Sequence, residues 1–219
     1  MVKDVVRLLL MITCLLIFIA CPEQKDESIH ITESFDELAQ GTIPSGWFVE
    51  PARNFPGRWS VTKYSKSKSS PNILQYESYD NDSGYTILIN EDVITASPNI
   101  KVDFLCDENQ AYSSVGVVIC WFDENNYYLY AVNPQENMLR LYFFDNGSIS
   151  VLASTNISIE PGVWYTMHVM KKGTLLSCSL NGNETLSARN GELEFGGVGL
   201  WSPININSYF DNFVILKNE

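Results

Sequence analysis

The sequence predicts an all-β domain built as a sandwich or barrel of antiparallel strands. Three observations carry this. Short runs rich in β-branched and aromatic residues fill the chain from about residue 31 onward. Turn residues interrupt them every 8–14 positions up to the C-terminus. No stretch holds a helical period with caps, apart from one possible turn at residues 36–40.

The elements follow in order. Ile100-Lys101-Val102-Asp103-Phe104 alternates, as a half-buried strand does. Val115 to Phe122 is a continuous apolar run, the pattern of a strand covered on both faces. Further strand-like runs are Tyr127–Val132, Leu139–Phe144, Trp164–Val169, Leu175–Leu180, Gly197–Trp201 and Tyr209–Leu216. Between them lie Asp123-Glu124-Asn125-Asn126, Asn133-Pro134, Asp145-Asn146-Gly147, Glu160-Pro161-Gly162, Lys172-Gly173 and Asn181-Gly182. Asn146-Gly147 and Asn181-Gly182 suit tight hairpins, because Asn and Gly tolerate positive φ. No repeat or internal linker divides residues 31–219, which read as one domain.

The N-terminus has a different pattern. Lys3 and Arg7 precede Leu8–Ala20, a run of 13 residues without charge. Helical, it would span roughly 20 Å, short of the roughly 30 Å hydrocarbon core. Residues 1–20 therefore read as a cleavable signal peptide. The run ends Phe18-Ile19-Ala20-Cys21, which resembles a bacterial lipobox with Phe18 where that pattern prefers Leu. Lipidation of Cys21 would anchor the chain to a membrane. Residues 21–30 then form the lipidated N-terminus and a polar tether that includes His30. The expected location is the cell envelope, on the extracytoplasmic side.

Net charge is −12, and the first 20 residues carry a net +1, so the remainder is near −13. An acidic domain without a basic run excludes nucleic acid as a partner. Cys106, Cys120 and Cys178 lie in apolar strand-like segments and read as buried thiols, with one disulfide and a spare thiol as the alternative. No Cys-x-x-Cys pair supports zinc.

Several segments together resemble a known family. They are Ser34-Phe35-Asp36-Glu37-Leu38, Ile43-Pro44-Ser45-Gly46-Trp47 and Arg58-Trp59-Ser60-Val61 near the start. Asp123–Tyr128, Gly162–Val169, Gly197-Val198-Gly199-Leu200-Trp201 and Tyr209-Phe210-Asp211-Asn212-Phe213 follow in the same order. The pattern is similar to the concanavalin A-like lectin/glucanase superfamily, in its laminin-G-like and keto-disaccharide-hydrolase-like branch. The resemblance implies a two-sheet antiparallel jelly roll with first and last strands adjacent, and Ser34–Leu38 as the first strand. It also implies a structural calcium, with Asp211 and Asp36 as the residues for it. The chain departs from the pattern where Cys120 and a position near Ala131 replace arginines, and where Asn181-Gly182 replaces Asp-Gly.

Fold does not fix function, so the residues are weighed directly. The carboxylate string of the glucanases is absent. Glu192 and Glu194 imitate it within a Gly-bounded loop and read as solvated. His168 alternates with Met167 and Val169 and should face away from the core, without a nucleophile motif beside it. No catalytic residue is assigned. The positive feature is aromatic. Tyr128 with Tyr130, Tyr142 with Arg140, and Trp121 and Trp201 on nearby strands could form a platform on which sugar C–H faces stack, with His168 adjoining. Trp47, Trp59 and Trp164 read as core and corner residues. The expectation is a membrane-anchored carbohydrate-binding module. A structural or protein-binding envelope module and a glycoside hydrolase are the alternatives.

Overall fold

A computed structural model describes residues 31–50, 57–79, 84–107 and 114–216. The signal, Cys21 and the tether lie outside the described residues. Among these, fifteen strands follow in chain order: β1 (Ile31–Glu33), β2 (Trp47–Glu50), β3 (Gly57–Lys63), β4 (Asn72–Ser78), β5 (Tyr85–Thr95), β6 (Asn99–Cys106), β7 (Val115–Asp123), β8 (Asn126–Asn133), β9 (Met138–Asp145), β10 (Ser148–Asn156), β11 (Trp164–Lys172), β12 (Leu175–Leu180), β13 (Asn183–Arg189), β14 (Gly196–Pro203) and β15 (Ser208–Ile215). No helix among the described residues is long and apolar enough to cross a membrane.

The strands make two antiparallel sheets. One runs β13-β12-β11-β6-β15-β4-β3, with β1 also paired to β15; the other runs β10-β9-β8-β7-β14-β5-β2. First and last strands are adjacent as expected, with Ile31 opposite Ile215. The expected strand at Ser34–Leu38 is instead a turn. Phe35 stands at φ 64° with its side chain fully buried, and Leu38 N–H donates to the Phe35 carbonyl. Burial of the phenyl ring outweighs the cost of that backbone geometry.

The core lies between the sheets. Alternate residues of β6, β8, β9 and β11 point inward, among them Ile100, Val102, Phe104, Leu139, Leu141, Met167 and Val169. Trp59 crosses the gap: its indole N–H donates to Thr86 Oγ1 on the other sheet at 3.1 Å. Trp47 packs edge-on to Phe213. Trp164 packs outside the main core. It joins Ile73, Leu105, Tyr209 and Tyr64 in a separate cluster, its indole held by the Lys66 carbonyl at 2.6 Å. Cys106, Cys120 and Cys178 are buried and free of disulfides.

One irregularity positions the site. The β7–β8 register breaks between Ile119 and Asp123, where Cys120 stands at φ 51°. Ile119 and Cys120 both point into the core, so Trp121 is turned outward.

Candidate functional site

The outer face of the β10-to-β2 sheet is unusually apolar. Ile87, Ile89, Val118, Tyr127, Leu129, Ala131 and Phe144 form a second cluster there, with Phe48, Tyr85, Trp121, Tyr142 and Trp201 packed at its margin. Strand register arranges these side chains in rows. Trp201, Gly116, Ala131 and Arg140 are successive cross-strand neighbours on β14, β7, β8 and β9. The next row is Gly199, Val118, Leu129 and Tyr142.

The first row explains a hollow. Its middle members, Gly116 and Ala131, are small, and they lie between the tall Trp201 and Arg140. The result is a trough of about 280 Å³ whose lining includes Tyr85, Ser114, Asn133, Arg140, Tyr142 and Trp201. That volume is near the lower end of ordinary ligand sites, roughly 300–1,000 Å³. Gly116 has no room for a methyl group, since a Cβ there would lie 2.6 Å from Leu129 Cδ1 and 2.8 Å from the Tyr130 carbonyl oxygen.

The walls are ordered. Tyr85 stacks on Trp201 with centroids 6.1 Å apart and packs edge-on to Phe144, which stacks on Tyr127 at 4.1 Å. The Arg140 guanidinium donates to the Tyr142 hydroxyl at 3.4 Å and pairs with Glu136 one helical-turn spacing earlier in sequence. Asn133 Oδ1 accepts from the Glu136 backbone N–H, which fixes the turn carrying that carboxylate. One wall thus offers flat ring faces and the other an oriented fork of donors. Among the described residues, no carboxylate lines this trough.

Of the expected platform residues, Trp121, Arg140, Tyr142 and Trp201 share this face. Tyr128 and Tyr130 do not. Both are fully buried between the sheets; Tyr128 donates to Asn190 Oδ1 and accepts from Leu193 N–H. Burial pushes both phenols above their ordinary pKa. They share a strand face, and it is the inward one. His168 faces away from the core, as alternation requires, and lies on the other sheet beside Asn99, 2.7 Å from its Oδ1. It is therefore remote from the trough. Sequence reasoning missed Tyr85, Tyr127, Phe144 and Phe48. The signal was the Tyr127-x-Leu129-x-Ala131 parity, as apolar as its neighbour.

Asp211 does not fit a cation. The fully buried Asp211 accepts from Lys68 N–H, Ser69 N–H, Ser69 Oγ and Asn212 N–H, all at 2.8–2.9 Å. Asp36 accepts from Asn72 N–H at 3.0 Å. With two donors on each of its oxygens, Asp211 clamps a loop and has no lone pair left for calcium, so Asp36 lacks the partner ligand that the resemblance implied. Among the described residues no group of three or more His, Cys, Asp or Glu is placed to hold a metal. Glu192 and Glu194 lie in an exposed loop.

No protein-family model and no curated protein matches the sequence. Solved structures do match in fold. The carbohydrate-binding module CBM66 from Bacillus subtilis aligns with a TM-score of 0.63 at 16% identity, over 80% of this chain and 96% of that one. The carbohydrate recognition domain of Emp47p aligns at TM-score 0.58 and 10% identity, over 88% and 96%. A GH43 protein of Bacillus licheniformis aligns at TM-score 0.57 and 15% identity, over 85% of this chain but 39% of its own length. The fold is thus the concanavalin A-like, galectin-like β-sandwich that the sequence resembles.

Proposed function

We propose that the protein is a lipid-anchored, extracytoplasmic carbohydrate-binding module. The observation that carries the binding reading is the trough between Trp201 and Arg140. A sugar ring has apolar C–H faces and a polar equator. Trp201 and Tyr85 supply aromatic surface for the first; Arg140, Tyr142 and Asn133 supply donors and acceptors for the second. Fold neighbours that carry carbohydrate-binding names support the reading. Among the described residues no acid–base pair of carboxylates lines the trough, which favours binding over glycoside cleavage.

A glycan array followed by calorimetry tests it. Wild type binds a defined set of oligosaccharides, and Trp201→Ala and Arg140→Ala each weaken binding about tenfold, the loss of roughly 1.4 kcal/mol of contact. Absence of binding to every glycan, or full affinity in both variants, refutes the module. The anchor is tested separately: palmitate labelling must be present in the full chain and lost on Cys21→Ser.

A further inference from the structure

A second hollow on the same sheet face has a different chemistry. It lies at the opposite end of the strands from the Ser114 and Asn133 margin of the trough, with a volume of about 330 Å³. Ile94, Phe122 and Phe195 stand at its rim and are 69%, 65% and 56% exposed. Trp121 and Phe48 lie behind them, ring centroids 5.6 Å apart. Large apolar side chains this exposed, gathered in one patch, mark an interaction surface. Hydroxyl-rich ligands have little to bond there, because the lining is almost wholly apolar.

The patch is held firmly. The buried Lys171 ammonium donates to the carbonyls of Ala96 at 3.3 Å and Glu194 at 3.0 Å, while its backbone N–H donates to Pro98. The two loops that present Ile94 and Phe195 are thereby joined.

The chain also enters the domain at this end. Ile31 pairs with Ile215, Ile215 pairs with Ile100, and Leu216 N–H donates to the Asn99 carbonyl, next to the Ala96–Pro98 loop. Met170 and Leu175, both 38% exposed, lie on the hairpin of the same end. Ten peptide units separate Cys21 from Ile31. Fully extended they reach roughly 35 Å, and as a flexible coil roughly 18 Å. An acylated Cys21 would therefore hold this end, and not the trough's polar margin, toward the lipid.

We propose that this end of the sandwich docks on the bilayer surface, with Ile94, Phe122 and Phe195 inserted into the interfacial region. The proposal rests on the anchor at Cys21. It turns a loose tether into a fixed orientation that points the Ser114 and Asn133 margin of the trough away from the membrane. Glu91, Asp92 and Glu194 flank the patch and are exposed, so docking draws on apolar burial and is weakened by anionic lipid.

The test makes the tether chemically. The chain from residue 21 onward is coupled through Cys21 to a maleimide-headgroup lipid in phosphatidylcholine vesicles carrying brominated acyl chains, the other three cysteines being buried. Tryptophan fluorescence should fall relative to unbrominated vesicles. The fall should survive high salt, shrink in Trp121→Phe, shrink in vesicles rich in phosphatidylglycerol at low salt, and vanish in an Ile94→Ser/Phe122→Ser/Phe195→Ser chain that is coupled and folded. Coupled wild-type protein without bromine quenching overturns docking. Concentration-dependent dimers in solution that shield the same three side chains also overturn it, in favour of self-association. Failure of palmitate labelling at Cys21 in the full chain overturns the anchor reading instead, and the coupled vesicles keep the two failures apart.

Discussion

Filling the trough from its floor separates binding from folding. Ala131 lies between Gly116 and Arg140 with its methyl directed into the open hollow. Ala131→Leu adds three carbons there. If they pack against Tyr142 and Leu129, the gain is at most about 2 kcal/mol at roughly 0.8 kcal/mol per buried methylene. Misfit with those neighbours costs about 1–3 kcal/mol. The two nearly offset, and for a domain of this size the melting temperature moves by no more than about 4 °C. Ligand affinity has no such offset. A ring that must rise off Trp201 and Arg140 together loses about 1.4–2.8 kcal/mol, a factor of about 10–100. Ala131→Ser, nearly isosteric, should stay close to wild type. Calorimetric titration with the best glycan from the array, beside thermal melts, reads both quantities. A folded Ala131→Leu protein with wild-type affinity refutes the assignment of the trough.

Three further outcomes follow from the structure. Asp211→Ala leaves four donors without their carboxylate and should cost more than about 3 kcal/mol in urea unfolding, with Asp211→Asn costing less because one acceptor oxygen remains. Burial pushes the Cys120 thiol up to about 11 and the Cys178 thiol up to about 12, so neither should react with iodoacetamide at pH 8 until denaturant is added. Burial first, and then the Lys101 ammonium, hold His168 below its ordinary value near 6.5. On acidification the unfolded chain binds that proton first. The stability linked to His168 is therefore complete above about pH 6.5 and is lost as pH falls toward the folded value, and His168→Gln should flatten the slope of unfolding free energy between about pH 7 and 5.

Much of the fold was legible because turn chemistry is local. Asn146 and Asn181 both adopt positive φ, at 49°, each followed by a positive-φ glycine, and each closes the hairpin its sequence announced. The strands from Val115 to Ile215 fall within a few residues of their expected limits. β4, β5, β10 and β13 were missed. β10 is an edge strand whose side chains are mostly exposed, and Ser-Ile-Ser-Val-Leu-Ala-Ser-Thr-Asn carries little burial signal. The site was legible only in part. Alternation grouped Tyr128 with Tyr130 and Arg140 with Tyr142, and both groupings hold in space.

The sequence by itself determined an all-β domain of short antiparallel strands with its cysteines in apolar segments, and those properties follow from local turn preference and from apolar periodicity. The two-sheet arrangement and the adjacent terminal strands were what its resemblance to the concanavalin A-like pattern implied. Tertiary structure decided which face of each strand is the core. On β8 both parities are apolar, Tyr127-Leu129-Ala131 and Tyr128-Tyr130-Val132, so hydrophobicity alone could not choose. The bulge at Cys120 then shifted the parity of Trp121, an event that depends on packing between sheets. The trough exists because Gly116 and Ala131 meet across two strands between Trp201 and Arg140. Register is a property of pairing at long sequence range, and no single segment encodes it.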